Sequence, residues 1–265
     1  MNFNIGDYVS RKSYNNDIIF IISKISNDMV YLDGLNVRLC ADASINDIVL
    51  VNSDNLYDDN EIITDNVSKL NFDRNKYFYI PGSILHIDGD EKYLDRCMNF
   101  YKCLGVKANG VSIIESQIAL KIGELISEYK PDILVITGHD AFCMKKNNEN
   151  DLDNYQNTSN FISAIKEARK YEKSQDKLII IAGACQSNYE ELIKAGANFA
   201  SSPKRINIHA LDPAIIASSL ALSDRNQSID LINLLEKTKY GCGGIGGIIT
   251  NGTMYVGYPR WIVII

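Results

Sequence analysis

Two short segments carry residue types suited to nucleophilic catalysis. Pro131-Asp132-Ile133-Leu134-Val135-Ile136-Thr137-Gly138-His139-Asp140 and Lys177-Leu178-Ile179-Ile180-Ile181-Ala182-Gly183-Ala184-Cys185-Gln186 follow one pattern: an apolar run, small residues, then an imidazole or a thiol. An imidazole within hydrogen-bond reach of a thiol takes its proton or stabilises the thiolate, which attacks a carbonyl carbon. The protonated ring then returns the proton to the leaving amine. Gly183 and Ala184 place no bulk beside the sulfur. A turn into a following helix would aim backbone N–H groups at the carbonyl oxygen, so the oxyanion hole is expected from Cys185 N–H and a donor beside His139, for which Asp140 N–H is the candidate. The chain has 3 histidines. His86 falls inside a strand pattern and reads as a satisfied core imidazole. His209, in Asn207-Ile208-His209-Ala210-Leu211-Asp212-Pro213, follows a strand and precedes a helix, and it stays open as the alternative base.

The elements that must position these groups follow from hydrophobic periodicity. Strands are expected at 84–87, 106–113, 133–136, 178–181 and 198–200, alternating with helices at 91–104, 115–129, 159–170 and 189–194. Pro131 stops the second helix. Each strand is a continuous apolar run, which predicts a doubly wound, mainly parallel α/β sheet covered on both faces. Such sheets hold ligands and catalytic groups beyond the carboxyl ends of their strands, where both segments end. Over residues 1–51 short runs at 5–9, 18–25, 29–32 and 37–40 alternate with Asn15-Asn16-Asp17, Ser26-Asn27-Asp28 and Asp33-Gly34, which predicts a small SH3-like β-barrel. Residues 52–80 read as a linker with one short helix, ending at Pro81-Gly82, and 81–265 as the α/β domain. The polar stretch 145–154 after His139 reads as a mobile flap or a plain insertion. Gly241-Cys242-Gly243-Gly244-Ile245-Gly246 matches G-x-G-x-x-G formally. A β-like segment at 248–250 follows where a dinucleotide site needs a helix, so flexible turns are the better reading.

The 46-residue spacing from His139 to Cys185 resembles the caspase-type arrangement. It departs from that pattern in having Gly138 before the His, Asp140 after it, and Gly183 two residues before the Cys. A narrower resemblance spans nearly the whole chain. Leu85-His86-Ile87-Asp88-Gly89-Asp90, the segment 131–140 quoted above, Ala182-Gly183-Ala184-Cys185-Gln186-Ser187, Ala195-Gly196-Ala197-Asn198-Phe199-Ala200-Ser201-Ser202-Pro203 and 207–213 are similar, in this order, to the YabG sporulation proteases of spore-forming Firmicutes. The resemblance implies a cysteine endopeptidase of the mother-cell cytoplasm that trims spore coat and cortex-associated proteins and prefers Arg before the scissile bond. It places His139 and Cys185 on the family's dyad and needs no cofactor.

An Arg-accepting pocket needs carboxylates, because a buried guanidinium demands charged, preferably bidentate partners. Asp88, Asp140 and Asp212 are the candidates, with Asp140 open to orienting His139 or the substrate backbone instead. For Asp90 and Asp212 helix capping is the competing reading. The same preference makes Arg74 a candidate self-cleavage site. A non-catalytic coat-assembly module and a small-molecule amidase or acyltransferase using the same dyad are the alternative functions. The remaining cysteines, Cys40, Cys97, Cys103, Cys143 and Cys242, take the bland reading of small hydrophobes.

Composition narrows the classes further. The 265 residues carry 27 basic and 33 acidic side chains, a net of −6. Residues 1–60 hold 4 of the basic and 9 of the acidic ones, a net of −5, leaving −1 for the rest. Neither part is basic, which argues against nucleic acid as partner. No apolar run reaches the ~18–20 residues of a membrane helix, and no signal peptide is read at the N-terminus. Without a C-x-x-C pair a structural zinc site is not expected, and the 6 cysteines are expected as reduced thiols.

Overall fold

A computed structural model describes residues 3–52, 59–145 and 151–259. The chain forms two compact units, Met1–Asn60 and Glu61–Ile265. In the first, β1 (Tyr8–Arg11), β2 (Phe20–Ser26), β3 (Met29–Gly34), β4 (Cys40–Ser44) and β5 (Ile48–Leu50) build one antiparallel sheet. Its order is β4-β3-β2-β1-β5, with β4 and β5 as its edges. Ser26 pairs with Met29 across Asn27-Asp28, and Asn27 takes the left-handed conformation that such a tight hairpin requires. Alternation puts Val9, Phe20, Ile22, Val30 and Leu32 into a small core. The strand expected at 37–40 lies at Cys40–Ser44, and Ile48–Leu50 is too short for its period to show in sequence.

The second unit is α/β. Helix α1 (Asp59–Ser68) is followed by β6 (Phe78–Ile80). Ile62, Ile63 and Leu70, in the expected linker, pack on the core of this unit; residues 53–58 of that stretch lie outside the described residues. Then come β7 (Ile84–Asp88), α2 (Glu91–Cys103), β8 (Ala108–Ser112), α3 (Glu115–Tyr129) and β9 (Ile133–Thr137). They continue as α4 (Thr158–Tyr171), β10 (Ile179–Ala182), α5 (Tyr189–Ala195), β11 (Phe199–Ser201), α6 (Asp212–Ala221), α7 (Leu231–Glu236) and β12 (Ile245–Gly247). β13 (Tyr255–Gly257) pairs with β6 in a separate ribbon.

The main sheet runs β8-β7-β9-β10-β11-β12, parallel except for β12. Every residue of β7, β9 and β10 is buried, as a sheet covered on both faces demands. Ile84, Ile133, Val135, Ile179 and Ile181 face α2, α6 and α7 on one side. Leu85, Ile87, Leu134, Ile136 and Ile180 face α3, α4 and α5 on the other. In α3 the buried Ile118, Ile122 and Ile126 recur at the spacing of one helix face. Lys130 then ends the helix in the left-handed conformation just before Pro131.

The strand order reverses between β7 and β9. Chain leaving β7 enters α2 on one face, and chain leaving β9 reaches α4 on the other. In open α/β sheets ligands bind beyond the carboxyl ends of the strands at such a topological switch point.

Candidate active site at the carboxyl rim of the sheet

β9 and β10 are parallel neighbours, and their register fixes the level of the two chemically capable residues. The pairs run from Ile133↔Ile179 to Ile136↔Ala182. Gly183 N–H extends the ladder to Ile136 O at 3.0 Å. His139 and Cys185 each stand three positions along the chain beyond the last pair.

His139 lies at the switch point, where β7 brings Asp88-Gly89-Asp90 beside it. Its Nε2 is 3.0 Å from Asp90 Oδ2, with about a quarter of each side chain exposed (25% and 24%). Its backbone N–H donates to Glu115 Oε1 at 2.7 Å, and its carbonyl accepts from Asn157 Nδ2 at 3.0 Å. The Tyr93 ring meets the imidazole edge-on, with centroids 5.9 Å apart. A Cβ on Gly89 or Gly138 would come within 2.3 Å of Glu115 Oε1, so both glycines clear the seat for that carboxylate. Asp90 is also the N-cap of α2, its Oδ1 accepting Lys92 N–H at 2.9 Å and Tyr93 N–H at 3.4 Å. Its pKa is held below the usual carboxylate value, chiefly by the bond to His139.

Cys185 is fully buried. Ile208 N–H points at its sulfur at 3.3 Å, and Ile208 O lies 3.8 Å from the same atom. The turn carrying it has two left-handed residues, Gly183 (φ 108°) and Gln186 (φ 58°). A side chain on Gly183 would meet Leu192 Cδ1 at 2.8 Å as well as an unfavourable φ. The segment 202–208 lies over the turn. Gln186 N–H donates to Ile206 O at 3.1 Å, and Gln186 Nε2 to Asn207 Oδ1 at 3.1 Å. Arg205, itself left-handed at φ 53°, fastens this cover. It bonds Tyr155 Oη at 2.8 Å, Asn188 Oδ1 at 3.3 Å and the Glu190 carboxylate.

The other expected site residues are distributed along this rim and beneath it. Asp140 accepts Ala141 N–H (2.9 Å), Asn157 N–H (2.7 Å), Thr158 Oγ1 (2.5 Å) and Ser187 Oγ (2.9 Å). It thereby ties the His139 loop to the Cys185 turn. Burial raises its pKa above the usual value, against the pull of these donors. Among the described residues Asp140 N–H, the expected oxyanion donor, has no acceptor. Asp88 is buried in β7 and accepts Thr137 Oγ1 at 2.8 Å and Asp90 N–H at 3.0 Å. His86 is a core imidazole between Tyr101 Oη (2.9 Å) and Thr137 Oγ1 (2.8 Å). Asp212 opens α6 and accepts His209 N–H and Lys239 N–H, each at 3.0 Å. Desolvation raises its pKa to about 6. His209 is buried, with Nδ1 accepting Leu211 N–H at 3.2 Å. Thus Asp88, Asp140 and Asp212 serve internal donors in three separate places.

Sequence reading missed Glu115, Asn157, Thr158 and Ser187, and read Asp90 as a pocket carboxylate or a helix cap, not as a partner of His139. The one available signal was the pair Gly89 and Gly138, which make room for a neighbour. Of the cysteines read as small hydrophobes, Cys97 is buried, but Cys40, Cys103, Cys143 and Cys242 are exposed. Arg74 lies in a turn with its guanidinium 5.7 Å from the Phe72 ring centroid. Of the expected flap, 146–150 lie outside the described residues, and Leu152–Asn154 form a 3-10 turn. In the glycine-rich segment a 3-10 turn at Gly241–Gly243 leads into β12, so a strand and not a helix follows, three residues earlier than expected. The described residues include no cluster suited to a metal ion and no helix long and apolar enough to cross a membrane.

Comparison with known proteins places this chain in a family. The family described as YabG peptidase U57 matches residues 4–71 and 60–259. The sporulation-specific protease YabG of Bacillus subtilis (strain 168) is 39% identical over 286 aligned positions, covering 98% of this chain and 99% of that protein. With residues of both units matched across positions 4–259, the chain belongs to the YabG peptidase U57 family and is a peptidase.

Proposed function

We propose that this chain is a cysteine endopeptidase of sporulation, with Cys185 as nucleophile and His139 as general base and then general acid. The carrying observation is that each residue follows, by three positions, the end of one of two adjacent parallel strands, the arrangement that the caspase-type resemblance also implies. His139 takes the Cys185 proton, and the sulfur bonds to the scissile carbonyl carbon. Collapse of the tetrahedral adduct breaks the C–N bond, and the imidazolium proton leaves with the amine. Water, deprotonated by the same ring, then splits the thioester to release acid and thiol. Cys185 N–H and Asp140 N–H are the donors assigned to the oxyanion.

The described conformation is a covered one. A buried sulfur against Ile208 admits no substrate, so the 202–208 segment must lift for turnover. The preference for Arg and the spore coat and cortex-associated substrates carry over from the family resemblance. For Asp88, Asp140 or Asp212 to bind Arg, each would have to exchange internal donors for a guanidinium. Glu190, half-exposed and already bonded to the Arg205 guanidinium, is the better-placed acceptor on this rim. The experiment is Cys185→Ala. Cleavage of an Arg-containing protein should vanish while the circular dichroism spectrum and melting temperature stay near those of the parent. Unchanged turnover overturns the assignment, and hydrolysis of free amides without protein cleavage would favour the amidase reading.

A further inference from the structure

We propose that Asp90 is a positioning residue for His139: the carboxylate fixes which ring nitrogen carries the proton and steadies the imidazolium formed during turnover. The inference rests on the reading of His139 as the base. Helix capping alone does not account for Asp90. Capping engages Oδ1, which faces Lys92 N–H and Tyr93 N–H, whereas Oδ2 lies 3.0 Å from His139 Nε2. Asn, Ser or Thr would cap α2 as well, but only a carboxylate both accepts from a ring N–H and carries charge.

The couple is held on every side. Asp90 N–H donates to the buried Asp88 Oδ1 at 3.0 Å, which fixes the carboxylate's backbone. Glu115, from the first turn of α3, clamps His139 N–H at 2.7 Å, and Asn157 clamps its carbonyl at 3.0 Å. With Nε2–H given to Asp90, the lone pair of the neutral ring resides on Nδ1, which defines the atom that exchanges protons with the thiol. The lowered pKa of Asp90 keeps it ionised at neutral pH, as this role needs. Beside Asp90, Glu115 from α3 bonds the His139 backbone, and Tyr93 on α2 meets the imidazole edge-on while facing the Arg96 guanidinium at 5.8 Å. The carboxylates favour the imidazolium and Arg96 opposes it.

The test is Asp90→Asn, read in two ways. The amide keeps the cap but presents N–H to Nε2, forcing the other tautomer. Turnover should fall by about 10²–10⁴-fold with KM changed by less than about threefold, as for a wrong tautomer in a carboxylate–histidine pair. Independently of activity, NMR titration of His139 in a Cys185→Ala background should show its midpoint lowered by about one pH unit. Asp90→Ser, which retains the cap, provides the same titration should the Asn variant fold poorly. An unchanged His139 midpoint overturns the proposal whatever happens to turnover. A shifted midpoint with full turnover overturns the catalytic role of the couple. If His139→Ala is then also active, the failure lies in the base assignment, whereas an inactive His139→Ala confines it to Asp90.

Discussion

The strand ends carrying His139 and Cys185 are written in the same sequence pattern but finished in opposite ways. The β9 end is partly open, and side-chain carboxylates from other elements hold it: Asp90 from the β7–α2 junction and Glu115 from α3. The β10 end is closed, and backbone groups surround its sulfur, with a 202–208 cover fastened by Arg205. Proton-transfer chemistry profits from a ring held by charge, and a reactive thiol profits from being covered until substrate arrives. Asp140 follows His139 and links the two ends by accepting from Ser187, two positions after Cys185, and Phe142 N–H adds a bond to Gln186 Oε1 at 3.1 Å.

Cutting that link is the largest perturbation of the comparison short of removing the nucleophile. Asp140→Ala strips a partner from two hydroxyls and two backbone N–H groups in a buried setting. Stability should fall by about 4 kcal/mol, read from the urea midpoint. A loss below about 1 kcal/mol would mean that the two ends are not coupled through this carboxylate.

The two ends should also answer pH with opposite sign. Asp212, which anchors the far end of the Cys185 cover at His209 N–H, has its folded pKa raised to about 6. Its contribution is fully present below the unfolded value of 3.8 and is lost as pH rises through about 6. The loss is on the order of 3 kcal/mol at most. Asp90 on the His139 side is lowered, so its contribution is present above 3.8 and disappears as pH falls through the folded value. Unfolding free energies from pH 3 to 7 for the parent and Asp212→Asn check this: the decline between about pH 4 and 6 should shrink in the variant. A decline of the same depth in both would remove Asp212 from the account.

A smaller effect isolates the cover. Arg205→Ala removes the bonds to Tyr155, Asn188 and Glu190. Part of this contact is solvent-exposed, so about 1.4 kcal/mol is expected, or about tenfold faster alkylation of Cys185. Equal rates would show that Arg205 is not what keeps the sulfur covered.

Much of this was legible in the sequence, for identifiable reasons. The span of α3 follows from Ile118, Ile122 and Ile126 on one face and Pro131 beyond its end. β9 and β10 follow from apolar runs ending in Gly138 and Gly183, whereas their adjacency in the sheet is a property of the fold. α6 was visible only as the helix following His209, because Asp212–Ala221 is apolar nearly all round and has no polar face to set a period. The position of Asp90 before α2 marks it as a cap, and it is one, but its second oxygen reaches a residue 49 positions away. That contact exists only because β7 and β9 are neighbours across the switch point, which local pattern does not encode. The burial of Cys185 escaped for the same reason, since the segment covering it comes from beyond β11.

The central claim is that Cys185 and His139 work as one unit. It is tested most directly with a peptidyl-arginyl chloromethylketone, followed by intact-mass and peptide mapping. The account predicts a single adduct on Cys185, none on the exposed Cys40, Cys103, Cys143 or Cys242 at equal reagent, and at least about a hundredfold slower modification in His139→Ala. Modification of Cys185 at the same rate in His139→Ala, or inactivation with the adduct on another residue, would contradict it.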